Sequence, residues 1–540
     1  MGIKSQVTVG TGKAAVPGAL LQLKQQETTG GEVNSNKGLG LPRVSLEKRK
    51  QLYPMFEADG TGYKDAVKAD EDIKHIGLVV YNLTDNTDVE KDPDELLCPG
   101  PYVWEGDIWV RLLSPCKPLC EPENSENCII VDPSASTPVL IPVGKPYIVW
   151  KERADLGNLE LEGEVSVELV WQDTQSLIKE VDLAEGDQGA CSQIKITTNG
   201  GGLQGNALVA VRVGPNGDDS DPIRWSWHLW VTNESSIVTY PHNNSEKDYE
   251  FMDRNLGAIS ASETVDAMGL TYQWGRKDPF TASLDFSPFG SFRKLYDIDN
   301  NELTEVNEHK DTAPVGTGIQ HAAVTVSNNL QNSILNPRVF YFGTYNGSTN
   351  NETNADWYTT DETGASSDDN LWETDGTKKS PFDPCPAGWR VPLNSAGGLS
   401  PWYHFRTVPD GWDNASPAAF NENGAQLNAL TSPVVTTKLG YYPHGLHRRA
   451  RAYSEPCGGV GGDPSGSNFA GGLFATCNIL HGVYESSYWT ANPIAGTPNA
   501  RAEFFYYQPG WIGDLKTIDP KDMSRSTGAS VRCVRIDTTP

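Results

Sequence analysis

Short runs in which apolar and polar residues alternate recur along most of this chain, broken by clusters of Gly, Pro, Asn and Asp. A period of two puts successive side chains on opposite faces of an extended segment, so these runs predict strands. The clearest are Ile76 to Asn82, Tyr102 to Leu113, Ser166 to Trp171, Gln193 to Thr197 and Asn206 to Val213. The apolar run Pro146-Tyr147-Ile148-Val149-Trp150 reads as another strand. In Ile223 to Val231 the alternation sets Trp225, Trp227 and Leu229 against Arg224, Ser226, His228 and Trp230. Around the turn Glu105-Gly106-Asp107, Tyr102, Trp104 and Trp109 are expected to pack one side of a hairpin rather than form a ligand shelf. Long helical stretches of Ala, Leu, Glu and Lys are scarce, so the chain is mainly β.

Residues 1 to 45 differ from this pattern. Val16-Pro17-Gly18-Ala19-Leu20-Leu21-Gln22-Leu23 and Gly38-Leu39-Gly40-Leu41-Pro42-Arg43-Val44 are apolar pieces too small to bury a core of their own. Such pieces order by pairing with copies of themselves or by docking on a partner. Residues 114 to 134 are Pro-, Cys- and Glu-rich and read as a linker. Residues 135 to 237, with strand runs separated by turn signals, read as an immunoglobulin-like β-sandwich. Beyond it lie Asn-, Asp-, Ser- and Gly-rich insertions at 296 to 333, 345 to 378 and 454 to 472, expected to lie over a core.

The 540 residues carry a formal charge of −27, and the longest basic cluster is Arg448-Arg449-Ala450-Arg451. That charge excludes nucleic acid as a partner and disfavours anionic membrane. No stretch of about 18 apolar residues is present, so membrane insertion is not expected. Met1-Gly2-Ile3-Lys4-Ser5-Gln6 has no apolar signal core. Taken as a natural start, it implies synthesis in the cytoplasm and release within a virion. With Met1 as an added start, a secreted adhesin fits equally well. The nine cysteines leave at least one without a partner in its own chain. Cys116, Cys120 and Cys128 have no histidine nearby and Pro-rich flanks, so zinc is not expected. Cys385 and Cys533 each stand beside a strand signal and are expected to form a disulfide that staples the start of one domain to its end.

Met252-Asp253-Arg254-Asn255-Leu256-Gly257-Ala258, Tyr272-Gln273-Trp274-Gly275-Arg276-Lys277-Asp278-Pro279-Phe280, Asp383-Pro384-Cys385-Pro386-Ala387-Gly388-Trp389-Arg390-Val391-Pro392, Tyr488-Trp489-Thr490-Ala491 and Ser530-Val531-Arg532-Cys533-Val534 follow one another in the C-terminal half. Together they resemble the Fibrobacter-type major paralogous domain, over about residues 249 to 536. The resemblance implies a C-type-lectin-like α+β fold of the kind found in surface and fimbrial-tip proteins of Bacteroides-like bacteria and in their phages. Gly18-Ala19-Leu20-Leu21-Gln22-Leu23-Lys24, Gly77-Leu78-Val79-Val80-Tyr81-Asn82 and Cys98-Pro99-Gly100-Pro101-Tyr102-Val103-Trp104 look like stem and knob pieces of phage tail fibres. That likeness implies a homotrimer. The expected order is a stem or attachment segment (1–75), a small β-knob (76–113), a linker (114–134), the sandwich (135–237) and a C-type-lectin-like receptor-binding domain (238–540).

The ligand face is expected on the segment from 484 to 528, where aromatics mix with polar groups that suit sugars and protein surfaces. Its candidates are Asn492, Asn499, Arg501, Glu503, Phe505, Tyr507, Gln508 and Trp511, while Trp489, Phe504 and Tyr506 are read as core. Asp356, Asp361, Asp368, Asp369 and Asp375 lack calcium-loop spacing and read as a solvated acidic loop. Relatives of the implied fold include a cysteine oxidase, which draws attention to Cys457, Cys477 and His481. A structural disulfide is the simpler use of that pair, and no hydrolase, zinc-protease, P-loop or dinucleotide motif occurs. The chain is therefore read as a non-enzymatic receptor-binding protein of a phage tail fibre, with no cofactor or metal. Its expected partners are a bacterial surface glycan or protein and other tail or baseplate proteins. The alternatives are a pilus-tip or surface adhesin at the bacterial cell surface and an enzyme acting on surface glycans.

Overall fold

The computed structural model describes residues 7–9, 21–23, 40–56, 63, 65–86, 96–112, 124–184, 189–233, 235–240, 248–281, 293–303, 318–342, 356–361, 363–372, 378–393, 400–402, 405, 418–428, 438–444, 447–449, 472–474, 484–509 and 515–536. The chain divides into two compact units, residues 1–120 and 121–540, and is mainly β.

In the N-terminal unit β1 (Val7–Val9) pairs in parallel with β2 (Leu21–Leu23). A four-stranded sheet follows, built from β3 (Arg43–Val44), β4 (Val79–Asn82), β5 (Gly100–Trp104) and β6 (Trp109–Arg111) in that order, with helix α1 (Asp65–Lys74) between β3 and β4 in the chain. Val80, Tyr102, Trp104 and Trp109 turn inward onto Leu46, Leu52, Tyr63 and Leu97. The Trp104 and Trp109 rings meet edge-on at 5.4 Å, and their indole N–H groups donate to the carbonyls of Asp72 and Gln51. The aromatics of the predicted hairpin are thus core, not a shelf. The expected boundary between stem and knob at 75/76 is corrected. Leu46 and Leu52 supply that core, and the Leu46 N–H donates to Asn82 Oδ1 at 3.0 Å. The partner of β4 comes from the stretch whose composition suggested only a stem.

The C-terminal unit begins with seven strands: β7 (Cys128–Val131), β8 (Val139–Pro142), β9 (Glu164–Gln172), β10 (Ile178–Leu183), β11 (Gln193–Thr198), β12 (Gly205–Gly214) and β13 (Ile223–Val231). They form the sheets β7-β13-β12-β9 and β10-β11-β8. This is the immunoglobulin-like arrangement with the first strand parallel to the last. Two expectations need correction here. The linker read over 114–134 contains β7, whose residues 128–131 pair with 228–231. The strand read over Pro146–Trp150 is instead helix α2 (Gly144–Glu152). A short apolar run fits either period. Here Pro146, Val149 and Trp150 recur at helical spacing on the buried side, and a proline is tolerated in the first turn.

The remainder starts with β14 (Ile237–Tyr240), β15 (Tyr249–Met252), β16 (Leu270–Gln273), β17 (Phe280–Thr281), β18 (Gln320–Ala323), α3 (Leu330–Leu335), β19 (Val339–Phe342) and β20 (Trp389–Arg390). It continues through β21 (Ala418–Asn421), β22 (Gly424–Asn428), β23 (Lys438–Pro443), β24 (His447–Arg449) and β25 (Gly472–Phe474). The last strands are β26 (Tyr484–Pro493), β27 (Asn499–Gln508), β28 (Leu515–Ser524), β29 (Gly528–Ser530) and β30 (Val534–Arg535). The main sheet runs β17-β16-β29-β26-β27-β28, beside a second sheet β14-β15-β30-β20 and a meander β21-β22-β23. Phe251 of β15 pairs with Val534 of β30, so the opening hairpin β14–β15 and the last strand of this half lie in one sheet.

The expected division at 237/238 is not a break in the core. Trp171, Leu208 and Trp230 of the sandwich share one cluster with Leu256, Leu270, Trp274 and Trp489. The face of β13 read as polar lies against this second half. Ser226 donates to Asp278 at 2.6 Å, and the Trp230 indole donates to the Ala258 carbonyl at 3.0 Å. His228 lies fully buried, 2.9 Å from Asn206 Oδ1, and burial lowers its pKa to about 3.

The five ordered motifs meet inside this core. Arg532 donates twice to Asn255 Oδ1, the Trp489 indole to the Tyr272 carbonyl, and the Trp274 indole to the Thr490 carbonyl. Cys385 and Cys533 are bonded, with Cα atoms 6.0 Å apart. The described part of the acidic insertion, 356–361 and 363–372, is tied to the core rather than wholly solvated. Trp357, Leu371 and Trp372 from it are buried, Asp356 is 2% exposed, and Asp368 and Asp369 pair with Arg153 and Arg525. Asp361 accepts bonds from Thr363 and Ser366, and Asp375 lies outside the described residues.

Candidate functional site

The segment from 484 to 508 forms two adjacent strands of the main sheet, and antiparallel pairing with β28 fixes which side chains share a face. Asn499, Arg501, Glu503, Phe505 and Tyr507 stand on one face with Lys516, Ile518, Pro520, Asp522 and Ser524. That face was expected to meet solvent. Instead the β21-β22-β23 meander lies on it. Phe505 is wholly buried and stacks on Tyr442 at 4.7 Å, and Tyr507 lies 6.2 Å from both Phe420 and Tyr484. Glu503 is 0% exposed and Gln508 is 7% exposed, Gln508 accepting a bond from the Tyr506 hydroxyl. The opposite face is also covered: Ala500 and Ala502 enter the main core, and Phe504 is 4% exposed beneath the Lys521 ammonium. The assignment of Glu503, Phe505, Tyr507 and Gln508 to an exposed face is therefore corrected. Alternation groups these residues rightly, but the meander, distant in sequence, decides what covers them.

The polar candidates fare differently. Arg501 stays partly exposed and pairs with Asp522 at 3.2 Å. Asn492 and Asn499 are half-buried, and Asn499 Oδ1 is buried with no hydrogen-bond partner. Trp511 lies outside the described residues, as do Cys457, Cys477 and His481. Among the described residues the sheet thus offers one small polar corner rather than a broad aromatic face.

A concave site lies elsewhere in the same half. A cavity of about 310 Å³ is lined by Val238, Asp253, Ala261, Ser262, Glu263, Gln426, Gly440 and Tyr441. Its walls come from β14, the turn after β15, the 261–263 loop and strands β22 and β23. Asp253 is held by the Arg254 guanidinium at 2.8 Å and by the Ser235 hydroxyl at 2.9 Å. Burial opposes ionisation of Asp253, but these donors outweigh it and hold the carboxyl below the ordinary range. Asn421 donates to Glu263, and Gln426 donates its amide to the carbonyls of Leu427 and Gly440, both at 2.9 Å. Gly440 has φ +146°, and a Cβ there would collide with the Arg532 guanidinium, so only glycine lets β23 pass at this distance.

Tyr441 is the distinctive group. It is 3% exposed, and its hydroxyl is buried without a hydrogen-bond partner. Burial, reinforced by the Glu263 carboxylate, pushes the phenol pKa well up, so it remains a donor at any physiological pH. A buried hydroxyl left unpaired costs about 1–3 kcal/mol, and this one packs against Gly424. Two carboxylates, a hydroxyl and an amide along the lining suit a neutral, polyhydroxylated ligand and disfavour an anionic one. Two stretches of chain far apart in sequence, 238–263 and 426–441, build the cavity, so no local pattern marked it. Only Asp253 fell within a motif noted in the sequence. Among the described residues no group of three or more side chains could hold a metal ion, and no helix is long and apolar enough to cross a membrane.

Residues 8–127 match the family described as a phage tail-like trimerisation region. No curated protein and no solved structure matches the chain. The matched stretch spans nearly the whole N-terminal unit and points to a phage tail-associated, trimerising protein whose place is the virion tail.

Proposed function

We propose that this chain is a receptor-binding protein of a phage tail fibre, which recognises a neutral glycan or hydroxyl-rich surface group on the bacterial host through its C-terminal half. The N-terminal match supports the tail assignment, and the motif resemblance over 249 to 536 supports a C-type-lectin-like receptor domain. The observation that carries the ligand reading is the cavity itself, lined by Asp253, Ser262, Glu263 and Gln426 with Tyr441 in its wall. Its partners on this reading are the host surface and neighbouring tail proteins, and no chemistry on the ligand is invoked.

The test is binding of the full-length protein to a glycan array and to candidate host cells. Ser262→Ala and Glu263→Gln should each weaken binding by about tenfold, the equivalent of one hydrogen bond to the ligand. Tyr441→Phe should leave the melting temperature equal or higher, since it removes an unpaired buried group. Arg501→Ala separates this site from the polar corner of the β27–β28 pair. Loss of binding there with Glu263→Gln unaffected would move the contact to Asn499 and Arg501. No binding to any host cell or glycan would refute the receptor-binding reading itself.

A further inference from the structure

The β3-β4-β5-β6 sheet has two apolar faces, and only one belongs to the core of its unit. Pairing across the sheet puts Val79 opposite Val103, Tyr81 opposite Pro101, and Val103 opposite Val110. Residues in direct register share a face, and Leu83 and Leu112 continue it by alternation. None of Val79, Tyr81, Leu83, Val103, Val110 and Leu112 joins the core cluster that holds Val80, Tyr102, Trp104 and Trp109. Tyr81 is 38% exposed, Leu83 51% and Leu112 54%, against at most 2% for the inward set. Arg43, opposite Tyr81, is the one charged residue in register with this face. An apolar face across three adjacent strands, on a chain of net charge −27, is a surface made for association, because scattered single exposures would not fall on one side of β4, β5 and β6 alike.

We infer that this outward face is where copies of the chain meet, three sheets turning their Tyr81–Leu83–Leu112 sides toward a common three-fold axis. The inference rests on the trimer reading and adds the surface. The matched trimerisation region, 8–127, contains every strand of the sheet. A face directed at the axis touches both neighbours at once, so one patch serves all contacts of a closed ring. An apolar, uncharged centre is what a permanent homo-oligomer interface requires.

The test uses the full-length protein and its Leu83→Asp/Leu112→Asp variant, with mass measured by sedimentation equilibrium. The wild type should be a trimer. The double variant should fall to one third of that mass while keeping the wild type's amide hydrogen-exchange protection in β4 to β6. A trimeric double variant would overturn the inference and leave the trimer reading standing. A monomeric wild type would overturn the trimer reading itself. Should the double variant lose its fold, a photoreactive benzoylphenylalanine in place of Tyr81 decides the matter. Trimer-mass adducts would support the interface. Adducts confined to one chain, mapping to its own residues such as 10–20 or 87–95, would overturn it.

Discussion

The sheet of the N-terminal unit and the β26-β27-β28 part of the main sheet carry the same kind of alternating sequence, but they are used differently. In the first, one face builds a core around Trp104 and Trp109 while Tyr81, Leu83 and Leu112 on the other remain exposed. In the second, Ala500, Ala502 and Phe504 pack on one side and Phe505 and Tyr507 on the other, beneath the β21-β22-β23 meander. The lesson is that alternation sorts side chains into two sets and says nothing about what covers each set. A covering layer supplied from far along the chain turns an apparent binding face into a second core. Its absence turns an apparent core strand into an interface.

The strongest challenge to this contrast is Phe505→Ala. If the meander covers that face, the loss should be about 3–5 kcal/mol, as for a buried phenylalanine. A solvent-exposed Phe505 would cost no more than about 0.5 kcal/mol, which thermal or denaturant unfolding distinguishes easily. Next in size is the Cys385–Cys533 bond, which closes a separation of 148 residues within the doubly covered half. Replacing both cysteines by serine should destabilise this half by about 2–4 kcal/mol and leave amide hydrogen-exchange protection of β4 to β6 unchanged. Equal loss in both units would erase the distinction between them.

Acid should then weaken the same half. His228 has its folded pKa lowered to about 3 by burial, against an ordinary value near 6.5 in the unfolded chain. The unfolded state therefore binds the proton first. Stability is complete above about pH 6.5 and declines as the pH falls toward 3, by about 2 kcal/mol between pH 7 and 5. His444, lowered to about 4 by burial, acts in the same direction. Unfolding of wild type and His228→Gln at both pH values tests this, since the variant should lose part of the pH dependence. The smallest effect belongs to Lys521, whose ammonium lies 3.7 Å from the Phe504 ring centroid at the edge strand β28. Lys521→Ala should cost about 0.5–1 kcal/mol, and a larger loss would mean that β28 is less of an edge than its pairing indicates.

Much of the strand content was legible because local alternation reports it. The runs ending in Trp171, Val213 and Val231 all became sandwich strands, and the aromatics about Glu105-Gly106-Asp107 formed one side of a hairpin. Pro146 to Trp150 was not legible, since five apolar residues satisfy a strand and one buried turn of helix alike. The stem boundary failed for a non-local reason. Leu46 and Leu52 look unremarkable in sequence, and only the placing of β3 beside β4 brings them to the tryptophans. The cavity failed in the same way, because Asp253, Glu263 and Tyr441 meet through tertiary folding and Tyr441 is distinguished by a missing bond rather than by its neighbours. Even the motif residues proved easier to notice than to interpret. Asn255, Trp274, Trp489 and Arg532 hold the core together rather than face a ligand.

The cavity also has a mechanical position. Val238 belongs to β14 and Asp253 follows β15, so one wall of the site is the hairpin by which the polypeptide enters this half from β13. On the receptor-binding reading proposed above, a ligand gripping that wall would pass tension into the chain at its point of entry, while β22 and β23 of the meander form the facing wall. The Cys385–Cys533 bond lies beyond the β14–β15 pairing, joined to it where Phe251 meets Val534. Under such a load the backbone bonds between β14 and β15 would bear the strain first.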